Sequence, residues 1–287
     1  MTIKQKSLIM CMTTGMIFGI VPVMTLRCYE YGATEVWLLI ARSAFMLLFL
    51  GPRLLKTMSI KKVLKENWKE LSLLALSNSF TDLFIYSAYK YMASSVVVTL
   101  HFIYPALVVV ICMLFYKEKI NKTQAICLIL CTVGIFLTLD ISLGLNLTGI
   151  ILSVLSAICY SAYIVLLGKI NIPNVQGESL LLFVGIGNIL VGGIPYGIIT
   201  HTLAMPLSIN LVWNILWTQF VIFIADMLFA KGIKGIGPQT AAIISTFEPL
   251  VGIVIGIVFL KDAFSLFSIV GALMILLSAV IISINTK

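Results

Sequence analysis

Two stretches decide how this chain is read: HFIYPALVVVICMLFYKEKI at 101–120 and STFEPLVGIVIGIVFLKD at 245–262. Each is an apolar run with a proline near its start and a Lys-acid pair at its end. Sliding the chain along itself by 144 residues superposes them, and the match extends from Asp82–Glu118 onto Asp226–Asp262. Asp82 meets Asp226, Lys90 meets Lys234, Pro105 meets Pro249 and Lys117 meets Lys261, while Val110, Ile111 and Phe115 meet Val254, Ile255 and Phe259. Apolar helices match one another easily, but Asp, Lys and Pro are scarce in this chain, so their coincidence marks an internal duplication. A duplication kept only for packing is the competing reading.

Outward from these stretches the composition stays apolar. Of 287 residues, 61% are hydrophobic and 10% charged, against roughly 45–50% and 25% in soluble proteins. A water-soluble globule is excluded. Apolar runs are drawn at 7–26, 36–55, 71–91, 94–116, 123–141, 148–168, 179–200, 210–231, 237–260 and 264–284, each near the ~20 residues a spanning helix needs. The runs are continuous rather than alternating, which disfavours a barrel. The fold expected is therefore an all-α integral membrane protein of ten transmembrane helices. The duplication divides it into repeats at 1–141 and 142–287. Five spans separate equivalent points, and an odd number reverses direction through the bilayer, so the repeats are expected to be inverted copies.

The net charge of +8 reports orientation rather than a nucleic-acid partner, because Lys and Arg fall between the apolar runs. With the N-terminus in the cytoplasm, Arg27, Lys90 and Lys261 fall outside and Arg42 lies within the second span, leaving fifteen of nineteen basic residues inside. That asymmetry favours two cytoplasmic termini in a cell (plasma) membrane. The basic loop at 56–70 is explained by the same rule, with a lipid or partner patch as its alternative. The first run is expected to be a retained span, since it lacks an AxA-like cleavage end.

The paired strings resemble the signature of the drug/metabolite transporter superfamily, specifically its EamA-type branch. In that signature a mid-helix proline precedes an apolar stretch closed by an acid, which Pro105 with Glu118 and Pro249 with Asp262 fit, as does the pair Glu248-Pro249. The resemblance covers essentially the whole chain. It implies a small-metabolite carrier with a central cavity, commonly an exporter in bacteria, and is nearly silent on substrate.

Candidate substrate-binding residues are polar groups within apolar spans. An ionised Asp at mid-bilayer costs about 2.5–3.5 kcal/mol on insertion scales, so it needs a partner, a wet cavity or a proton. Asn78, Asp82, Tyr86 and Tyr89 form one polar stripe on the third span. His101 and Tyr104 stand beside Pro105, which withholds an amide donor and frees the carbonyl of His101. On the second half, Gln219, Phe223 and Asp226 share one face, and Ser245, Glu248 and Gly252 another. Ser153, Ser156, Tyr160 and Tyr163 line one side of the sixth span. Asn78, Asp82, Tyr86, His101, Tyr104, Tyr160, Tyr163, Asp226, Ser245 and Glu248 are the residues expected to contact substrate. Each also has a structural reading: Glu248 and the acids can tie helices together, His101 can be a satisfied packing residue, and the tyrosines can be core. Arg42 can bind an anionic group or neutralise one of the acids, and neutralisation is favoured.

The function expected is secondary active transport of a small polar metabolite, such as an amino acid or amine, by alternating access. Acids interleaved with tyrosines favour a cationic or zwitterionic substrate. Asp82 or His101 is expected to take up a proton if transport is proton-coupled. An intramembrane transferase using His101 with Asp82 or Glu248 as base, and a passive channel, remain open as alternatives. No cofactor or metal is expected: the cysteines, Cys11, Cys28, Cys112, Cys127, Cys131 and Cys159, contain no CxxC pair, and His101 and His201 alone make no zinc site. Membrane lipids are the other expected partner. A monomer already encloses a cavity, so monomer and homodimer both satisfy the pattern. The GxxxG pairs Gly15–Gly19, Gly193–Gly197 and Gly252–Gly256 are expected to permit close helix contact. The sequons at Asn121 and Asn146 are weak glycosylation signals.

Overall fold

The span starts are written in local hydrogen bonding. In this computed structural model Thr2 caps the first helix, its hydroxyl accepting the Gln5 amide at 3.2 Å while the Gln5 side chain accepts the Thr2 amide at 2.9 Å. Asn146 and Ser208 cap later spans in the same way, on Gly149 and Leu211. The second sequon thus sits at a helix start. The structure describes all residues except 58–59, 139–144, 174, 196–207, 247, 249–250, 252–265 and 286–287. His201, Pro249, Gly197, Gly252, Gly256, Lys261 and Asp262, which the sequence singled out, lie outside the described residues.

The helices are α1 (Ile3–Phe18), α2 (Val21–Glu30), α3 (Glu35–Thr57), α4 (Ile60–Ala88), α5 (Ser94–His101), α6 (Tyr104–Tyr116), α7 (Lys122–Thr138), α8 (Leu147–Lys169), α9 (Leu181–Asn188), α10 (Ile209–Ile236), α11 (Pro238–Ser245) and α12 (Leu266–Asn285). Several spans are broken where the sequence draws them whole. The first is divided at Gly19–Ile20, with Pro22 seated in the opening turn of α2, where its missing amide costs nothing. The fourth is divided at Phe102–Ile103 into α5 and α6, with Pro105 opening α6. The seventh changes pitch along its length, from a 3-10 turn at Gly177–Leu180 through α9 to a π turn at Ile189–Gly193. The region 56–70, expected to be a loop, is largely helical. α4 begins at Ile60 and bends at Asn67, whose φ of −129° and ψ of 22° leave the helical region while its side-chain amide donates to the Val63 carbonyl at 3.2 Å.

The helix pairing is itself two-fold. α1 packs on α10 and, equivalently, α8 packs on α4, so the first span meets the eighth as the sixth meets the third. α5 packs on α8 as α11 packs on α1. α3 packs on α9 and α7 on α12, pairs that each map onto themselves when the repeats are exchanged. The chain is an all-α membrane protein of two inverted five-helix repeats. Most helix partners come from the opposite repeat, so neither half closes a core alone.

Close approach in a bilayer depends on small residues. A Cβ placed on Gly134 of α7 would stand 2.7 Å from the Gly271 carbonyl oxygen of α12. One on Gly187 would stand 2.9 Å from the Ala75 carbonyl oxygen of α4. Backbone cannot yield as a side-chain tip can. Gly134→Leu is therefore expected to lower stability by about 1–3 kcal/mol through overpacking, read as a fall in melting temperature in detergent, whereas Gly51→Leu, with nothing within 4 Å of its Cβ position, should leave it unchanged.

Candidate functional site

The polar stripe of α4 faces inward. The kinked helix carries Asn78, Asp82 and Tyr86 at successive turns, and α3 brings Arg42 against them from the second span. Arg42 is 4% exposed, Asp82 6% and Asp226 3%. The guanidinium donates through Nη1 to Asp82 Oδ2. Toward α10, Nε donates to Asp226 Oδ2 at 3.1 Å, and Nη2 reaches both Asp226 oxygens at 2.8 Å. One cation thus bridges two acids that occupy the same position in the two repeats. Buried ionised groups survive in a low-dielectric interior only when paired and hydrogen-bonded, and the planar fork of Arg suits two carboxylates at once.

Beside this triad lies a cavity of about 80 Å³, room for roughly three waters at the ~30 Å³ each occupies in the liquid. Its walls come from both repeats: Phe18, Val21 and Pro22 from the first span, Arg42 from the second, Asn78, Thr81, Asp82, Ile85, Tyr86 and Tyr89 from the third, and His101 from the fourth. Tyr160, Ile222, Asp226 and Glu248 complete it from the sixth, eighth and ninth. Of the ten residues singled out in the sequence, Asn78, Asp82, Tyr86, His101, Tyr160, Asp226 and Glu248 line this space. Tyr104, Tyr163 and Ser245 do not. They form a second layer: the Tyr104 hydroxyl is hydrogen-bonded to Ser245 Oγ, and Tyr163 stacks behind Tyr160 with ring centroids 5.8 Å apart.

The aromatic wall is continuous. His101 packs on Tyr160 at 5.2 Å and on Tyr104 at 5.3 Å, and Tyr104 meets Tyr160 edge-on at 4.9 Å. Ser156 donates to the Ser153 carbonyl at 2.7 Å and bonds His101 Nδ1 at 2.8 Å. A hydroxyl has one proton, so Nδ1 is the donor to Ser156 and Nε2 is left as an acceptor. The sequence did not single out Thr81, Ile85, Phe18, Val21, Pro22 or Ile222. A helical wheel finds the first two beside the Asn78–Asp82 stripe, but no local pattern marks the others.

Toward the face carrying the N-terminus, where Ser7 lies against Gly235, the two repeats are joined by polar contacts. Glu118, at the end of the fourth span, takes an ion pair from Lys169 and a hydrogen bond from the Gln239 side chain at 3.1 Å. Beside it, within the second repeat, Lys234 donates to the Ile170 carbonyl and Lys231 pairs with Glu178 at 3.3 Å. The opposite face holds Glu35 paired with Lys90, a contact within the first repeat.

The same architecture is found elsewhere. A solved structure titled only as the crystal structure of a protein superposes with a TM-score of 0.77 over 98% of this chain and 97% of that one, at 12% identity, which shows a shared fold. The uncharacterized transporter YxxF of Bacillus subtilis (strain 168) is 28% identical over 204 residues, 68% of this chain and 63% of that protein's length. The model of the EamA-like transporter family matches twice, at residues 5–140 and 147–284. Nearly the whole chain is thus accounted for by two copies of one family unit, and the chain belongs to the EamA-like transporter family.

Proposed function

We propose that the protein is a secondary active transporter that moves a small polar metabolite across the cell membrane by alternating access, as an exporter or an exchange carrier. The supporting observation is the cavity at the junction of two inverted repeats, walled by both and centred on an ion triad that joins them. In such folds, rocking one repeat against the other exposes a fixed site to each side in turn. The distribution of Lys and Arg supports cytoplasmic termini, so the Glu118 contacts would close the cytoplasmic side while the cavity faces outward.

Charge supports a cationic or zwitterionic substrate. Arg42 stands against Asp82, Asp226 and Glu248 in one cavity, and two of those acids already occupy its donors. An incoming anion would meet three carboxylates and one guanidinium that already directs four of its five N–H donors at two of them. One guanidinium offsets only one of the two aspartates, so the triad keeps a net negative charge and Asp82 or Asp226 could carry a coupled proton. Glu248, with no ion-pair partner among the described residues, would be the third carrier.

Purified protein in liposomes is expected to show saturable uptake and counterflow of at least one amine or amino acid; no movement of any candidate under gradients of either sign would remove the transporter reading, and flux linear in concentration would make it a channel. Arg42→Gln strands two buried acids and is expected to cost about 3–5 kcal/mol of stability. Asp82→Asn should cost less, because Asp226 still holds the guanidinium, and melting temperatures in detergent rank the two. Glu118→Ala breaks a partly exposed contact worth at most about 1 kcal/mol, so it should alter initial transport rates with little change in melting temperature.

A further inference from the structure

The repeat places Tyr104 and Glu248 at equivalent positions, each immediately before the proline of its half. Their surroundings differ. The Tyr104 hydroxyl is spent on Ser245. The Glu248 carboxylate lines the cavity and has no hydrogen-bond or ion-pair partner among the described residues. It lies in electrostatic range of the Tyr89, Tyr104 and Tyr160 phenols. The backbone beneath it is held tightly: a Cβ on Gly19 would stand 2.7 Å from the Glu248 carbonyl oxygen.

Two further acceptors share the cavity. Asn78 lines it and is 1% exposed; its Oδ1 has no partner and no open surface, so a ligand reaches it through a turn of the side chain. His101 offers Nε2, since Nδ1 is committed to Ser156. The triad contributes no positive counterweight, because one guanidinium stands against two carboxylates and keeps a single Nη1 N–H outside its bonds to them. Unsatisfied acceptors and an aromatic wall therefore surround one small space. The complementary group is a compact cation with several N–H donors; an ammonium has three, and tyrosine faces attract it.

We propose that Glu248 is the seat for the ammonium group of a primary-amine ligand, with Asn78 Oδ1 and His101 Nε2 as flanking acceptors and Tyr89 and Tyr160 as walls, while the Arg42 triad holds helices and touches no substrate charge. This rests on the transporter reading for its physiological meaning but not for its binding chemistry. The available space suits a ligand of a few heavy atoms around the amine.

The test uses full-length protein in detergent and three probes of similar size: n-butylammonium, n-butanol and n-butyrate. Thermal shift and calorimetric titration are expected to show saturable binding of the ammonium, with the alcohol and the carboxylate at least tenfold weaker. Glu248→Gln, which keeps shape and removes charge, should weaken ammonium binding tenfold or more, whereas Glu35→Gln, which removes an acid outside the cavity lining, should leave it within about threefold. Butyrate binding as tightly as the ammonium, or Glu248→Gln binding the ammonium like the wild type, overturns the proposal. Should Glu248→Gln fail to fold, the wild-type ranking of the three probes decides alone, and absence of ammonium binding counts against the seat. Liposome flux separates the two readings: ammonium binding that depends on Glu248 without any flux would sink transport and keep the seat, while saturable flux of a non-amine solute unaffected by Glu248→Gln would do the reverse.

Discussion

The structure turns on one guanidinium. Arg42 is drawn into an apolar interior at a cost that only pairing offsets, and its pairs are Asp82 from its own repeat and Asp226 from the other. Removing water from these three groups strengthens each bond, because the medium no longer screens them. The arrangement fixes α3, α4 and α10 relative to one another at the level of the cavity. Lipid tails cannot drive apolar helices together as water does, so a fully satisfied polar cluster has unusual weight in deciding which helices meet.

Around this cluster the rest follows from close packing. Span pairings repeat under exchange of the halves, and glycines at Gly134 and Gly187 let backbones touch where a side chain would hold them apart. The breaks at Gly19–Ile20 and Phe102–Ile103 lie beside the cavity, next to Phe18 and His101. Interrupted helices are tolerated in a membrane only where neighbours or water take up the freed backbone groups, so the breaks and the wet space belong together. On the terminal face the contacts are of another kind, made by long side chains at partly exposed positions.

Much of this was legible in the sequence, for identifiable reasons. The repeat was visible because Asp82, Lys90, Pro105 and Lys117 recur at one offset in a chain where such residues are rare. The polar stripe of the third span was visible because helical periodicity puts Asn78, Asp82 and Tyr86 on one side. The pairing of Arg42 with both acids was only half visible. Neutralisation of one acid follows from burial cost, but that α3 stands between α4 and α10 depends on tertiary packing that no local pattern encodes. The second-layer positions of Tyr104, Tyr163 and Ser245 were hidden for the same reason, since periodicity gives a face and not a depth. The helical run after Ile60 was missed because its Lys-rich stretch reads as a solvated connection, although Lys is a good helix former.

The cavity arginine also constrains how the molecule can change over generations. The two aspartates are copies of one ancestral position, but residues 142–287 contain no arginine at all. Two first halves set antiparallel would bring two guanidiniums against two carboxylates, whereas two second halves would leave paired carboxylates facing each other with no arginine between them. The halves are therefore no longer interchangeable parts: the duplication has become a lineage in which one segment supplies the cation and the other depends on it.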